Sequence, residues 1–105
     1  MKDIEGMVNA RGASYGPPKE NHDRTAMLWS AYFRAKYKQY PDMDAAGLAE
    51  NIDRDDVCFL NILQKIARCQ SEAGVKGNED GIKDIQGYAE NLLIMNFPHK
   101  WGEES

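Results

Sequence analysis

The sequence predicts an all-α fold, a small bundle of three main helices around a central helix that is apolar on two sides. Three segments place their apolar residues at the three- and four-residue spacing of an α-helix. Nowhere do four or more residues alternate apolar and polar between turns without a better helical interpretation. Because a two-sided central helix needs cover, we expect a short extra helix or dimerisation to complete the bundle.

The first long helix follows a strong turn signal. Tyr15-Gly16-Pro17-Pro18 forces a turn or an extended entry. Asn21 or Asp23 can then cap a helix whose apolar spacing continues to Tyr37. The following segment 42–50 has room for a short helical turn, although its Gly47 weakens it.

The middle helix has the clearest start. Asp53 is a good N-cap, and Asp53 and Asp56 have capping-box spacing, with Asp in the usual place of Glu. Residues 57–69 are apolar over roughly 200° of the helix circumference, about twice what a surface helix needs. Cys58 and Cys69 lie on this helix about 16 Å apart, too far for an intrachain disulfide, so we expect reduced thiols.

The last long helix is expected at about 79–95, with Asp80 and Asp84 one turn apart on its flank and Tyr88 on the same line. Its apolar stripe consists of Ile82, Ile85, Ala89, Leu92 and Leu93. The elements together predict three parts: an N-terminal arm, 1–14, a single helical domain, 15–96, and a C-terminal tail, 97–105.

Composition restricts the possible partners. The chain has 105 residues, of which 29% are charged, and a net charge of −4, which disfavours a nucleic-acid duplex or an anionic membrane as partner. No apolar run approaches the roughly 18 residues that span a bilayer. The first residues lack the basic start and apolar stretch of a secretory signal. We therefore expect a cytoplasmic protein.

A first candidate site is the polar segment 15–22, which runs into a helix N-terminus. Free backbone N–H groups there, with Lys19 and Arg24 nearby, could hold an anion; the alternative is a structural turn and cap.

A second candidate is a narrow arc of the middle helix that either faces water or meets a phosphate or carboxylate. This arc carries Arg54, Asn61, Lys65 and Arg68.

A third candidate is the acidic pair on the last helix. Asp80 and Asp84 could share a Mg²⁺ ion, with Glu20 and Asp56 as further ligands. The alternative is structural pairing of these carboxylates with the cations of the middle helix across the bundle.

Four blocks of sequence occur in a specific order between about residues 15 and 93. They are Tyr15-Gly16-x-x-Lys19-Glu20-Asn21, Leu28-Trp29-Ser30-Ala31-Tyr32, Leu63-x-Lys65-Ile66-Ala67-Arg68 and Asp80-x-x-x-Asp84-Ile85-x-Gly87-Tyr88-Ala89. With these blocks the chain resembles a family of small uncharacterised proteins of bacteriophages and prophages. It departs from that family in a longer 36–52 segment and in His22, which stands where the family has an aromatic residue. The resemblance implies a phage protein of the host cytoplasm.

More distantly, the layout is similar to small phage domains associated with nucleotide modification, and the helical build is similar to MazG-type all-α nucleoside triphosphate pyrophosphohydrolases. Those enzymes carry paired Glu-x-x-Glu and Glu-x-x-Asp motifs on facing helices. This chain has only Glu50-x-x-Asp53 and the Asp80/Asp84 pair, so their metal cage is not reproduced. These similarities imply a nucleotide as ligand.

Three hypotheses follow. The first is a phage-encoded protein that binds a nucleotide or another phosphate-bearing ligand, in nucleotide metabolism or in sequestration of a signalling nucleotide. Its expected ligand-binding residues are Tyr15, Gly16, Lys19, Asn21, Arg24, Asn61, Lys65, Arg68, Asp84 and Tyr88. The second is a Mg²⁺-dependent pyrophosphohydrolase-like enzyme whose metal ligands are Glu20, Asp80 and Asp84. The third is a non-enzymatic protein–protein interaction module. A homodimer is expected in each case.

Overall fold

The computed structural model describes residues 16–38, 40 and 42–102, and this part of the chain forms five α-helices and no β-strand. They are α1 (Pro18–Lys36), α2 (Ala45–Glu50), α3 (Arg54–Cys69), α4 (Glu79–Asn96) and α5 (Pro98–Trp101). Because α3 packs against both α1 and α4, it is the central helix of a three-helix layer. The predicted all-α bundle with a two-sided middle helix is confirmed, and α2 and α5 are short additional helices.

Helix α1 begins earlier than the sequence indicated. Asn21 and Asp23 were expected to cap it, but the helix starts at Pro18, and Pro17 occupies the cap position without a side-chain hydrogen bond. Asn21 already lies inside the helix, where its backbone N–H donates to the carbonyl oxygen of Pro17 at 3.0 Å. The reason is that proline is favoured at the first helical position, since its fixed φ suits the helix and its missing N–H has no intrahelical acceptor there.

Helix α3 starts as predicted. The Asp53 carboxylate accepts from the backbone N–H of Asp56 at 3.0 Å, and the Asp56 carboxylate accepts from the backbone N–H of Asp53 at 2.9 Å, which completes the capping box. Both cysteines lie on this helix as free thiols, with Cys58 buried and Cys69 partly exposed. The expectation of an unbridged pair is confirmed.

Both long neighbours run antiparallel to α3. Between α1 and α3, Arg24 contacts Ala67 and Trp29 contacts Leu60, so the residue numbers rise on one helix as they fall on the other. The same holds between α3 and α4, where Arg54 contacts Met95 and Lys65 contacts Asp84. Asp56 and Ala67, which are buried beside α1, lie on the side of α3 opposite Cys58 and Lys65, which face α4. Helices α1 and α4 therefore meet mainly through α3.

A short helix occupies part of the segment expected as a tail. Helix α5 packs against α4, and the backbone N–H of Trp101 donates to the carbonyl oxygen of Phe97 at 2.9 Å. Pro98 at its first position favours this turn of helix for the same reason as Pro18 in α1. Across the described ranges, no helix is both long and apolar enough to cross a membrane.

The described part of the chain encloses little apolar core. Among the residues that the structure describes, the buried hydrophobic ones are Cys58 and Ala67, and no large side chain is fully buried. The large apolar side chains that stay exposed are Met27, Trp29, Tyr40, Ile52, Val57, Phe59, Val75, Ile82, Ile94, Phe97 and Trp101. Scattered exposed apolar residues are normal, but in this part of the chain they occur together with a core of two small buried residues, Cys58 and Ala67.

Candidate functional sites

A polar cleft lies where the N-terminus of α1 meets the C-terminal end of α3. Its volume is about 430 Å³, and it is lined by Gly16, Pro17, Glu20, Arg24, Gln70, Ser71, Glu72 and Ala73. Gly16 has a φ of +83°, in the left-handed region that favours glycine, and a Cβ there would stand 3.6 Å from a guanidinium nitrogen of Arg24. The Nε of Arg24 donates to the carbonyl oxygen of Ala67 at 3.1 Å, which anchors this side chain on α3.

The cleft combines both signs of charge. Pro17 and Pro18 have no backbone N–H, so the groups of this uncapped helix N-terminus that favour an anion are the backbone N–H groups of Lys19 and Glu20, together with the Arg24 guanidinium. The lining also contains the carboxylates of Glu20 and Glu72. A small molecule that suits this cleft therefore carries an anionic group for Arg24 together with hydrogen-bond donors for the two carboxylates.

Lys65, one of the cations of the middle helix, faces the acidic edge of α4 rather than the cleft. Lys65 Nζ lies 3.3 Å from a carboxylate oxygen of Asp84, with the two side chains 12% and 52% exposed. Gly81 packs next to Lys65, since a Cβ at this position would lie 3.9 Å from the Cβ of Lys65, an ordinary van der Waals distance. The nearby Arg68 carbonyl accepts a hydrogen bond from the Asn78 side-chain amide at 3.2 Å. Pairing across the bundle thus occurs between Lys65 and Asp84.

The predicted ligand-binding residues are distributed over separate places. Tyr15 lies outside the described residues. Gly16 and Arg24 line the cleft, whereas Lys19 is exposed and forms an ion pair with Asp23 at 2.8 Å. Asn61 donates to a carbonyl oxygen of its own helix, and Tyr88 is partly exposed on α4. The structure therefore brings Gly16 and Arg24 together, and Lys65 and Asp84 together, but it does not bring the two groups together.

Asn21 is an unusual member of this set. It is only 4% exposed, and its side-chain carbonyl oxygen has no hydrogen-bond partner among the residues that the structure describes. Buried amide oxygens normally have a partner, because an unpaired one costs about 1–3 kcal/mol. Its sequence neighbour Glu20 lines the cleft, but Asn21 itself is not among the lining residues.

The three carboxylates expected to hold Mg²⁺ do not converge. Within the described ranges, no three His, Cys, Asp or Glu side chains form a group that could hold a metal ion. Glu20 lines the cleft at the start of α1, Asp84 pairs with Lys65, and Asp80 is exposed in the first turn of α4. Glu20 lies on α1 whereas Asp80 and Asp84 lie on α4, and α3 separates these two helices.

A buried network that sequence reasoning missed joins α1 to the start of α3. Asp56 is 3% exposed; the Tyr32 hydroxyl donates to its Oδ1 at 2.5 Å, and Lys36 Nζ forms an ion pair with its Oδ2. Lys36 also donates to the carbonyl oxygen of Asn51 at 2.7 Å. One carboxylate thereby completes the capping box of α3 and ties α1 to it. The signal in the sequence was the spacing of Tyr32 and Lys36, one helical turn apart on a face otherwise read as apolar.

The charges in this network support one another. Burial by itself raises the pKa of Asp56, but hydrogen bonds from Lys36, Tyr32 and the Asp53 backbone outweigh it, and the pKa lies below its ordinary value. Burial, followed by the bond to Asp56, raises the pKa of the Tyr32 hydroxyl. The bond to Asp56 raises the pKa of Lys36. At neutral pH the network holds a carboxylate, an ammonium and a neutral phenol, an arrangement suited to a structural tie.

The apolar surface is concentrated beside Phe59, which is 42% exposed. Its ring lies 6.1 Å from that of Tyr32 on α1. On its other side it lines a groove of about 500 Å³ between α3 and α4, together with Asp55, Ala89, Leu92, Leu93, Asn96 and Phe97. We call this surface the Phe59 face. It extends over all three long helices of the layer.

The opposite side of the same helix pair carries a smaller groove. It has a volume of about 360 Å³ and is lined by Arg54, Val57, Cys58, Asn91, Ile94 and Met95. Val57 is 52% exposed there. We call this the Val57 face; it differs from the Phe59 face in carrying the cation Arg54.

The fold and these surfaces define a small all-α domain with a polar cleft at one end and an extended apolar face. The chain belongs to a family described as a domain of unknown function (DUF6378), whose model matches residues 1–93. It is 37% identical over 95 residues to the Gene 55 protein of Mycobacterium phage L5, an alignment that covers 90% of this chain and 50% of that protein. This chain therefore spans half the length of that relative. No solved structure matches the chain.

These findings confirm the predicted membership of a phage-associated family of uncharacterised proteins. The similarity to MazG-type enzymes and to nucleotide-modification domains stays a prediction.

Proposed function

We propose that the protein is a non-enzymatic interaction module, which docks its Phe59 face against the apolar surface of another protein. The observation that carries this proposal is the combination of that face with a core in which no large described side chain is fully buried. Burial of apolar surface contributes about 25 cal/mol per Å², so covering this face would stabilise both the fold and the complex.

The pairing of the polar residues supports the same function. Lys65 pairs with Asp84, and Asp56 with Lys36 and Tyr32, so these chemistry-bearing side chains serve one another rather than converge on an open site. An arrangement of this kind stabilises contacts between helices. The surface that binds a partner is then the apolar Phe59 face.

Site-specific photocrosslinking in the host bacterium tests the proposal. We expect a protein carrying photoreactive p-benzoylphenylalanine in place of Phe59 to form adducts with protein, of one or a few discrete masses. The matched control carries the same group in place of Val57, which is also exposed and belongs to the same helix. Equal adduct yields at the two positions, or no adduct at Phe59, would contradict the proposal.

A second candidate function is supported by the polar cleft. Its uncapped helix N-terminus, with Arg24 held in place on α3, suits a phosphate-bearing ligand such as a nucleotide, whose base or sugar hydroxyls can donate to Glu20 or Glu72. Thermal-shift measurements with nucleotides and cyclic nucleotides test it. We expect stabilisation that is lost in Arg24→Met and kept in the distant control Arg34→Met. No stabilisation by any of these compounds would count against this function.

The third possibility, a Mg²⁺-dependent hydrolase, stays a prediction from sequence. No cluster of carboxylates among the described residues favours it.

A further inference from the structure

We infer that the Phe59 face docks against a second copy of this chain, in a two-fold contact that stacks two three-helix layers. This inference rests on the proposed interaction function and names its partner. The composition and the size of the face support this partner, and its low charge is compatible with it.

The composition of the face matches that of a homodimer interface. Ile62, Leu63 and Ile66 follow Phe59 at the spacing that places them on the same side of α3, and each is partly exposed between the two flanking helices. Tyr32 extends the face onto α1, and the groove residues of α4 extend it in the other direction. The cores of homodimer interfaces are rich in aromatic and aliphatic side chains and poor in charged ones.

The size of the face suits a partner of the same shape. Helix α3 has 16 residues, hence a length of about 24 Å at ~1.5 Å per residue. Three helices spaced by about 9 Å give a width near 28 Å, so the face projects about 700 Å². A stable interface buries about 800 Å² on each partner. A single docked helix, with a diameter of about 10 Å, would cover only about a third of this width, whereas a second three-helix layer covers it all.

The charge of the Phe59 groove is low enough for self-association. A net charge of −4 makes two copies repel, so the contact must be made where charge is low. On the Phe59 face the groove includes one charged residue, Asp55, at the end of α3, and its carboxylate accepts from the Asn96 side chain at 3.0 Å. A two-fold axis near Leu63 places the two Asp55 side chains at opposite ends of the contact. The groove of the Val57 face likewise includes one charged residue, Arg54, so charge does not distinguish the two faces.

The experiment is a molar-mass measurement by light scattering, from about 1 to about 100 µM protein, because dimerisation depends on concentration. We expect the wild-type chain to reach twice its 11.9 kDa mass as concentration rises. Phe59→Asp should raise the dissociation constant at least tenfold, since it places a like charge near the centre of the contact. Val57→Asp, an equally drastic change at a similarly exposed site of the same helix, should leave it unchanged.

A measurement without any variant provides a second test, in case Phe59→Asp fails to fold. The melting temperature of a dimer rises with protein concentration, so the wild-type protein should melt higher at about 100 µM than at about 1 µM. A wild-type chain that stays monomeric and melts at the same temperature throughout overturns the inference, as does a dimer that Val57→Asp dissociates and Phe59→Asp does not.

The failure of this inference is distinguishable from that of the proposed function. A monomeric wild-type protein that still crosslinks through the Phe59 position to a different protein overturns the self-association alone. A monomer without any such adduct overturns both.

Discussion

Replacement of Tyr32 by Phe tests the buried network with a minimal change. The substitution deletes one hydroxyl, which donates to Asp56 at 2.5 Å. It keeps the ring, which packs edge-on against Phe33 with centroids 5.3 Å apart and lies beside Phe59. The measured effect therefore reports the hydrogen bond rather than a loss of packing.

The expected cost follows from the burial of the acceptor. A hydrogen bond to a charged group is worth about 1.5–3 kcal/mol, and Asp56 is too buried for water to replace the lost donor readily. Asp56 keeps its bonds from Lys36 and from the Asp53 backbone, so the carboxylate does not become unpaired. We expect a loss of about 2 kcal/mol in the free energy of unfolding. For a chain of this size that lowers the melting temperature by roughly 8–16 °C.

The assay is urea unfolding at pH 7, followed by circular dichroism at one fixed protein concentration. Tyr40→Phe is the matched control, because Tyr40 is 46% exposed and lies outside the helices. Its effect should stay within about 0.5 kcal/mol. A double-mutant cycle with Asp56→Asn then isolates the pairwise energy.

Two outcomes would refute this reasoning. One is a Tyr32→Phe protein as stable as the Tyr40→Phe protein. The other is a Tyr32→Phe effect that is just as large when Asp56 is already Asn, which would place the role of the hydroxyl elsewhere.

The remaining predictions concern pH, the interhelical ion pair and two helical glycines. Folding lowers the pKa of Asp56, so the ionised carboxylate contributes its full stabilisation of the fold above the unfolded pKa of about 4, and this contribution is lost as the pH falls below that value. The urea midpoint, measured between about pH 2 and pH 7, should therefore fall at acid pH, and Asp56→Asn should make this fall smaller. Asp84→Ala should cost about 1 kcal/mol or less, because Asp84 is half exposed, and more than the control Asp80→Ala; a loss above about 2 kcal/mol would contradict this. Gly87→Ala should raise stability by about 0.5–1 kcal/mol, since its Cβ meets open space inside α4. Gly81→Ala should also be tolerated, because an added Cβ would lie 3.9 Å from its nearest neighbours, an ordinary van der Waals distance; a melting temperature below wild type for either glycine variant would contradict the space described at these positions.

Local sequence patterns predicted the helices well because their causes are local. The capping box of Asp53 and Asp56 needs only two side chains and their own backbone, so its spacing was sufficient evidence. The two-sided packing of α3 followed from the width of its apolar arc. The start of α1 was mispredicted because proline signals both a turn and a first helical position, and only the tertiary structure distinguishes the two.

The candidate sites were predicted less well, because they depend on which helices become neighbours. The pairing of Lys65 with Asp84 could be proposed as an alternative, since each lies on a defined arc of its helix. The contact of Tyr32 and Lys36 with Asp56 required knowledge that α1 runs antiparallel to α3. The sequence could not show that Glu20 lies far from Asp80 and Asp84 either, because that distance depends on the position of α3 between α1 and α4.

The arrangement of α1 and α4 on opposite sides of α3 has a consequence for how the chain folds. The molecule consists of two antiparallel hairpins that share one helix. We therefore expect two parallel folding routes: either the α1–α3 hairpin or the α3–α4 hairpin forms first, and the remaining helix then packs onto α3. The same arrangement predicts an order of amide exchange, in which α1 and α4 open independently while the backbone of α3 exchanges only when both have left.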